Sequence, residues 1–277
     1  MGHDLAVSRF PAQGTPRATL LIGAAMGVRR DYYAPFARFL AESGIHVLTF
    51  DYRGMGESRK GSLRGFDCDV TAWIDQDLAS MLVEARKPAP DLPLLYVGHS
   101  LGGQVLGVTP GREAVRAAVT VNSGSGYYGF NDRIWLRVRL LWFFFFPVLT
   151  PIFGYFPGRK LRMVGDLPKG VAFQWRRWCL HPEYLLAEGD AWRREMAGFA
   201  APILRYSFAD DELITERAVD SLHSFYRGSR IERRHIAPAD IGEARVGHFG
   251  FFHPRSRDKL WAPVLEWLLA RSEEGNA

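Results

Sequence analysis

A chain of 277 residues is long enough to bury a sizeable core in one large domain. Hydrophobic residues at 47% and charged residues at 23% are the balance of an ordinary globular protein, and a net charge of +5 without any long basic run argues against a nucleic-acid partner. The two cysteines, Cys68 and Cys179, are far apart and form no CxxC pair, which argues against a disulfide framework or a zinc site and fits a reducing compartment.

The N-terminus, Met1-Gly2-His3-Asp4-Leu5, carries no basic stretch followed by an apolar one, so no secretory signal is expected and the cytoplasm is the expected location. Short apolar, β-branched runs then alternate with helix-like stretches. Strands are expected at 5–10, 18–23, 45–50, 92–98, 117–122, 203–208 and 231–236, and helices at 32–42, 70–86, 101–108, 218–226 and 258–269. That alternation predicts an α/β class with a mostly parallel central sheet and helices on both faces. It breaks between residues 124 and 201, a region rich in Trp, Phe, Arg and Pro. The expected organisation is a core formed by 1–123 and 202–277, interrupted by a helical cap insertion at 124–201 without clear strands. Within the insertion, the uncharged run from Leu140 is broken by Pro147 and Pro151 and barely reaches the length of a membrane span. A greasy helix facing a pocket, or a peripheral membrane contact through the cap, is the expectation instead.

The most informative stretch is Leu94-Leu95-Tyr96-Val97-Gly98-His99-Ser100-Leu101-Gly102-Gly103. A strand-length apolar run ends in G-x-S-x-G and a helix-like segment follows at once, the context of a nucleophile elbow. The sharp turn strains the serine backbone, and Gly98 and Gly102 leave room for it by lacking a Cβ. Serine needs a base to take its proton and a carboxylate to orient that base. Among eight histidines, His248 sits after the last expected strand and before the last helix and is the expected base, with His253 as its nearest rival. The exit of strand 203–208 reads Ala209-Asp210-Asp211-Glu212, and Asp211 is the expected acid, with Asp210 and Glu212 as alternatives. Two backbone N–H groups should hold the oxyanion: Leu101, just after the serine, and Met26, in the loop after strand 18–23. No HExxH, clustered Cys/His or phosphate-cradling glycine motif occurs, so neither metal nor organic cofactor is expected.

With these residues in place, the chain resembles the α/β-hydrolase-fold serine hydrolases, in particular the monoacylglycerol-lipase and serine-aminopeptidase-like group and a set of uncharacterised bacterial α/β hydrolases with an aromatic cap. Asp51-Tyr52-Arg53-Gly54-Met55-Gly56-Glu57-Ser58 is similar to the D-x-R-G-x-G-x-S loop of that family and reads as structural, with Arg53 tied to neighbouring backbone. Where many relatives carry His-Gly, this chain has Ala24-Ala25, which puts the shape of the oxyanion hole in question. The resemblance implies a hydrolase that cleaves an ester, or else a thioester or amide, through an acyl-enzyme; the aromatic and leucine content of the insertion points to a small hydrophobic acyl compound as substrate. The same triad would serve an acyltransferase, and the fold alone would serve a non-catalytic binding protein.

Overall fold

The computed structural model describes residues 3–131, 135–161 and 163–273. Its strands are β1 (Val7–Phe10), β2 (Ala18–Gly23), β3 (Ile45–Phe50), β4 (Leu94–His99), β5 (Val115–Val121), β6 (Tyr155–Phe156), β7 (Leu167–Pro168), β8 (Ile203–Phe208) and β9 (Ile231–Ile236). Seven of them form one sheet in the order β1-β3-β2-β4-β5-β8-β9, parallel throughout except for β1, which runs antiparallel to β3. Every residue of β2, β4 and β8 is buried, as expected of parallel strands covered by helices on both faces. The edge strand β9 is only partly buried and turns Arg233 and Arg234 outward, charges that discourage further pairing.

Four strands keep their expected bounds. β4 starts two residues later than expected, directly after Pro93, which has no N–H to give a ladder. The expected helix at 70–86 is continuous, with a wider turn over Trp73–Leu78, and Asp69 caps it by accepting the Ala72 N–H at 2.8 Å. The helix Ala34–Glu42 buries Phe36, Ala37 and Leu40, and Phe36 meets Phe251, Phe252 and Trp261 edge-on in an aromatic cluster under the sheet.

Between β5 and β8 the chain forms helices, including a continuous apolar one at Leu136–Phe153 and others at Lys169–Leu180 and Asp190–Gly198. It also forms the two-residue antiparallel ladder β6–β7, where no strand was expected; so short a pairing leaves no periodic trace in the sequence. This segment is clamped to the rest of the fold at the start of the helix at 70–86. Buried Gln174 accepts the Val70 and Thr71 N–H groups at 2.7 and 3.1 Å, two donors that a helix start leaves without intrahelical partners.

His223 is buried behind the sheet and satisfied as a neutral ring. Its Nδ1–H donates to the Val219 carbonyl at 2.8 Å and its Nε2 accepts from the Thr120 hydroxyl at 2.8 Å. Burial pushes its pKa down to about 4 from an ordinary 6.5. The unfolded chain therefore takes up this proton near pH 6.5, where the folded chain refuses it. The stability held above pH 6.5 is lost as pH falls toward 4, by an amount on the order of 3 kcal/mol. Urea midpoints measured from about pH 7 down to about pH 4 are expected to fall across that window, and His223→Gln should flatten this part of the curve; an unchanged pH profile in the variant would assign the loss to other groups.

Candidate active site

The strand order reverses between β2 and β4: from β2 the chain moves to β3 on one side, and from β4 to β5 on the other. A crevice opens at such a switch point, at the carboxyl ends of the two strands. The loops that leave those ends are Ala24-Ala25-Met26-Gly27 and Ser100-Leu101. Ser100 sits at φ 49°, ψ −112°, a conformation non-glycine residues rarely hold, and is pinned by its N–H to the Val121 carbonyl at 2.9 Å. The glycines around it are required by contact. A Cβ on Gly102 would overlap the Gly23 carbonyl, one on Gly98 would overlap the Gly103 backbone, and one on Gly103 would overlap Ser123 Oγ.

His248 lies in the loop after β9 and is buried. Its Nδ1–H donates to Asp211 Oδ2 at 2.8 Å, and the other carboxylate oxygen of Asp211 accepts the Leu213 and Ile214 N–H groups at 2.8 and 2.9 Å. Asp210 and Glu212 serve the same loop differently. Asp210 Oδ2 accepts the Val246 and Gly247 N–H groups, and Glu212 Oε2 accepts the His248 N–H. The rival His253 is exposed and accepts the Arg255 N–H. Ser100 and His248 line one cavity, but no Ser100 Oγ–His248 Nε2 hydrogen bond is formed, and His248 Nε2 has no hydrogen-bond partner among the described residues. Such bonds are often long before substrate binds.

Met26 and Leu101 also line this cavity, and their backbone N–H groups have no hydrogen-bond partner among the described residues. The N–H of the preceding residue is taken: Ala25 donates to the Tyr33 hydroxyl at 2.9 Å. That hydroxyl donates in turn to His99 Nδ1 at 3.0 Å, and His99 Nε2–H donates to the His248 carbonyl at 3.0 Å. Asn122 Nδ2 donates to the same carbonyl at 2.9 Å. Complete burial pushes the His99 pKa well below 6.5, with the neighbouring His248 ring acting in the same direction, so the ring stays neutral and the relay keeps one tautomer. Tyr33, His99 and Asn122 thus tie the loop after β2, the elbow and the His248 loop together, a role the sequence did not disclose.

The cavity has a volume of about 500 Å³. The walls that come from the segment between β5 and β8 include Val138, Leu141, Trp142, Val164 and Trp175. Phe143, Phe144 and Phe145, next to Trp142 in sequence, are not part of its lining. Among the described residues no group of three or more His, Cys, Asp or Glu side chains is placed to hold a metal ion.

The profile of the alpha/beta hydrolase family matches residues 20–257. The chain belongs to the alpha/beta hydrolase family. It is 27% identical over 104 residues to the human monoglyceride lipase, a stretch covering 38% of this chain and 33% of that enzyme. The chain spans about a quarter to a third of the length of the curated relatives it matches. A soluble variant of monoglyceride lipase from Saccharomyces cerevisiae superposes with a TM-score of 0.67 at 14% identity, over 96% of this chain and 91% of that one. The monoacylglycerol lipase of Paleococcus ferrophilus does so with a TM-score of 0.61 at 15% identity, over 97% and 99%. At these identities the two structures speak for the fold.

One feature of this alpha/beta hydrolase departs from expectation. Arg53 is held by a distant carboxylate and not by neighbouring backbone: its backbone N–H and Nε donate to the two oxygens of buried Asp77 at 2.8 and 2.7 Å. Asp51 organises the rest of that loop, accepting from Arg30 and from the Glu57 N–H at 3.0 Å. Ala24-Ala25, already set apart from the His-Gly of many relatives, spends its Ala25 N–H on Tyr33, and the Met26 N–H has no partner among the described residues. Tyr33→Phe would strand both the buried Ala25 N–H and His99 Nδ1. It is expected to cost about 1–3 kcal/mol in urea denaturation at neutral pH; a variant as stable as the parent would show that the relay is not a stabilising link.

Proposed function

We propose that the chain is a serine-dependent carboxylic ester hydrolase of the lipase or esterase type, acting on an apolar acyl ester such as a monoacylglycerol. The observation that carries this reading is the 2.8 Å His248–Asp211 hydrogen bond beside Ser100, with the serine held in strained backbone at the edge of a largely apolar cavity. Ser100 Oγ attacks the ester carbonyl while His248 Nε2 takes its proton, and Asp211 holds the imidazole tautomer and steadies the imidazolium. The Met26 and Leu101 N–H groups receive the oxyanion. His248 returns the proton to the departing alcohol, water then enters, and the same histidine deprotonates it to release the acid and regenerate Ser100. Residues 124–201 are read as a cap over this cavity, set between the core parts 1–123 and 202–277.

A cavity of about 500 Å³ walled by Trp142, Leu141 and Val138 suits an aliphatic chain. The similarity to monoglyceride lipases favours an ester over a thioester or amide.

The decisive assay measures hydrolysis of p-nitrophenyl esters of increasing chain length and of a monoacylglycerol. Ser100→Ala and His248→Ala should each lower kcat by roughly 10⁴–10⁶-fold, and Asp211→Asn by roughly 10⁴-fold. Intact protein should be labelled by a fluorophosphonate on Ser100. Turnover by Ser100→Ala near the parent's rate would end the serine mechanism. Trp142→Ala should raise KM for long-chain esters more than for acetate; equal effects on both would remove Trp142 from the acyl site.

A further inference from the structure

The helix Leu136–Phe153 is long and apolar enough to cross a membrane by length and composition, yet only 17% of it is buried. One side of it packs inward: Trp142 and Phe146 are buried, and Val138, Leu141 and Trp142 line the cavity. The other side presents Leu136, Leu140, Phe144, Val148 and Ile152, each four residues from the last, with Phe143 alongside. Steps of four keep side chains on one side of a helix. These six are between 38% and 63% exposed.

The concentration is unusual. Ten large hydrophobic side chains are exposed among the described residues. Six stand on this helix, and three more, Met163, Leu213 and Phe249, line the cavity and so mark its mouth. Val83 alone lies elsewhere. An apolar patch of this kind on the surface of a protein marks an interaction site.

The charges around the stripe identify the partner. From residue 133 to residue 165 the chain has six Arg or Lys residues and no Asp or Glu. Arg137 and Arg139 near the start of the helix, and Arg159 and Lys160 just past its end, are exposed. Exposed Arg64 donates to the Ile152 and Phe153 carbonyls at the same end, and the Lys160 ammonium lies over the Phe153 ring at 5.1 Å. An apolar stripe with cations at both ends fits an anionic lipid surface: the stripe enters the acyl boundary and the cations remain among the phosphates. A second copy of this chain would bring like charges together on such a face. A transmembrane crossing would tear the inner side of the helix from the cavity.

We infer that this face docks the protein onto an anionic lipid bilayer, with the helix lying in the plane of the headgroups and the cavity mouth turned toward the lipid. The docking stands on the surface alone; its use, delivery of a membrane-borne ester to Ser100, rests on the hydrolase reading above.

The test is flotation of the full-length Ser100→Ala protein with vesicles of phosphatidylcholine alone or mixed with phosphatidylglycerol, which measures binding without turnover. Binding is expected to the mixed vesicles and to fall as salt rises. Phe144→Glu with Ile152→Glu should weaken it at least tenfold, and Arg159→Glu with Lys160→Glu should weaken it on mixed vesicles. Made in the Ser100 background, the Phe144→Glu/Ile152→Glu protein should hydrolyse a soluble short-chain ester at the parent's rate, which reports an intact fold. Absence of binding, equal binding to both vesicle types, or undiminished binding by the double Glu variant would each overturn the proposal. So would a dimer that the same substitutions dissociate. Failure to float leaves the hydrolase reading standing, and an inactive parent that still floats leaves the docking standing.

Discussion

The contact between two backbones, at Gly23 in β2 and Gly102 in the helix after β4, is the constraint on which the rest of the site depends. No side chain fits between them, because a Cβ on Gly102 would overlap the Gly23 carbonyl and one on Gly23 would overlap the Tyr96 hydroxyl. That hydroxyl donates to the Gly102 carbonyl at 2.8 Å and holds the new helix down on the sheet. The approach brings the Leu101 N–H to the loop carrying Met26, and it forces the chain to turn so sharply that Ser100 takes a positive φ. In the proposed mechanism the oxyanion donors and the exposed serine thus follow from one packing event. A small residue at these positions is a steric necessity before it is a catalytic one.

Around that contact most of the polar groups are paired, with Asn122 Oδ1 and Asp210 Oδ1 as buried exceptions among the described residues. Three successive carboxylates after β8 look like an excess of negative charge, but each has its own work. Asp210 anchors the start of the histidine loop, Asp211 orients the ring, and Glu212 takes the His248 N–H and meets Arg245 at 3.3 Å. The backbone carbonyl of His248 receives two donors, His99 and Asn122, so the loop is held from behind as well as from the side. This division leaves only one edge of the imidazole, the one at the cavity, without a protein partner.

Much of this was legible from local pattern. The parallel strands announce themselves as unbroken apolar runs, and the elbow is a contiguous motif whose glycines and serine explain one another. Asp211 was the expected acid from a trio, with Asp210 and Glu212 left as alternatives, since the tight turn that follows β8 decides which carboxylate meets the ring. Tyr33 and Asn122 passed unnoticed, and His99 was noticed only to be set aside, because their partners lie far along the chain: Tyr33 and His99 are 66 positions apart, and His99 and His248 are 149. Arg53 was given a local partner for the same reason, although Asp77 is 24 residues on. The apolar run was expected to form a greasy helix facing a pocket or to make a peripheral membrane contact. A helix divides neighbours between its sides, so Trp142 turns in while Phe143 and Phe144 turn out, and a run that is apolar all round carries no mark of which side is which.

The two cysteines have a use that depends on their burial. Cys68 stands at the entry to the helix at 70–86, its thiol pushed up to about 12 by desolvation, and its carbonyl accepts the Val171 N–H. Cys179 lies in the helix Lys169–Leu180 against the cavity wall and is pushed well above the ordinary range by complete burial. Protonated and buried, neither thiol is a ready nucleophile, and each is alkylated slowly unless the chain around it opens. The protein therefore carries two internal clocks, one beside the sheet and one in the segment above it. Their trapping rates, read separately by peptide mass, distinguish a molecule that opens as a whole from one whose upper layer lifts alone, and a compound lodged against Cys179 would slow the second clock while leaving the first running.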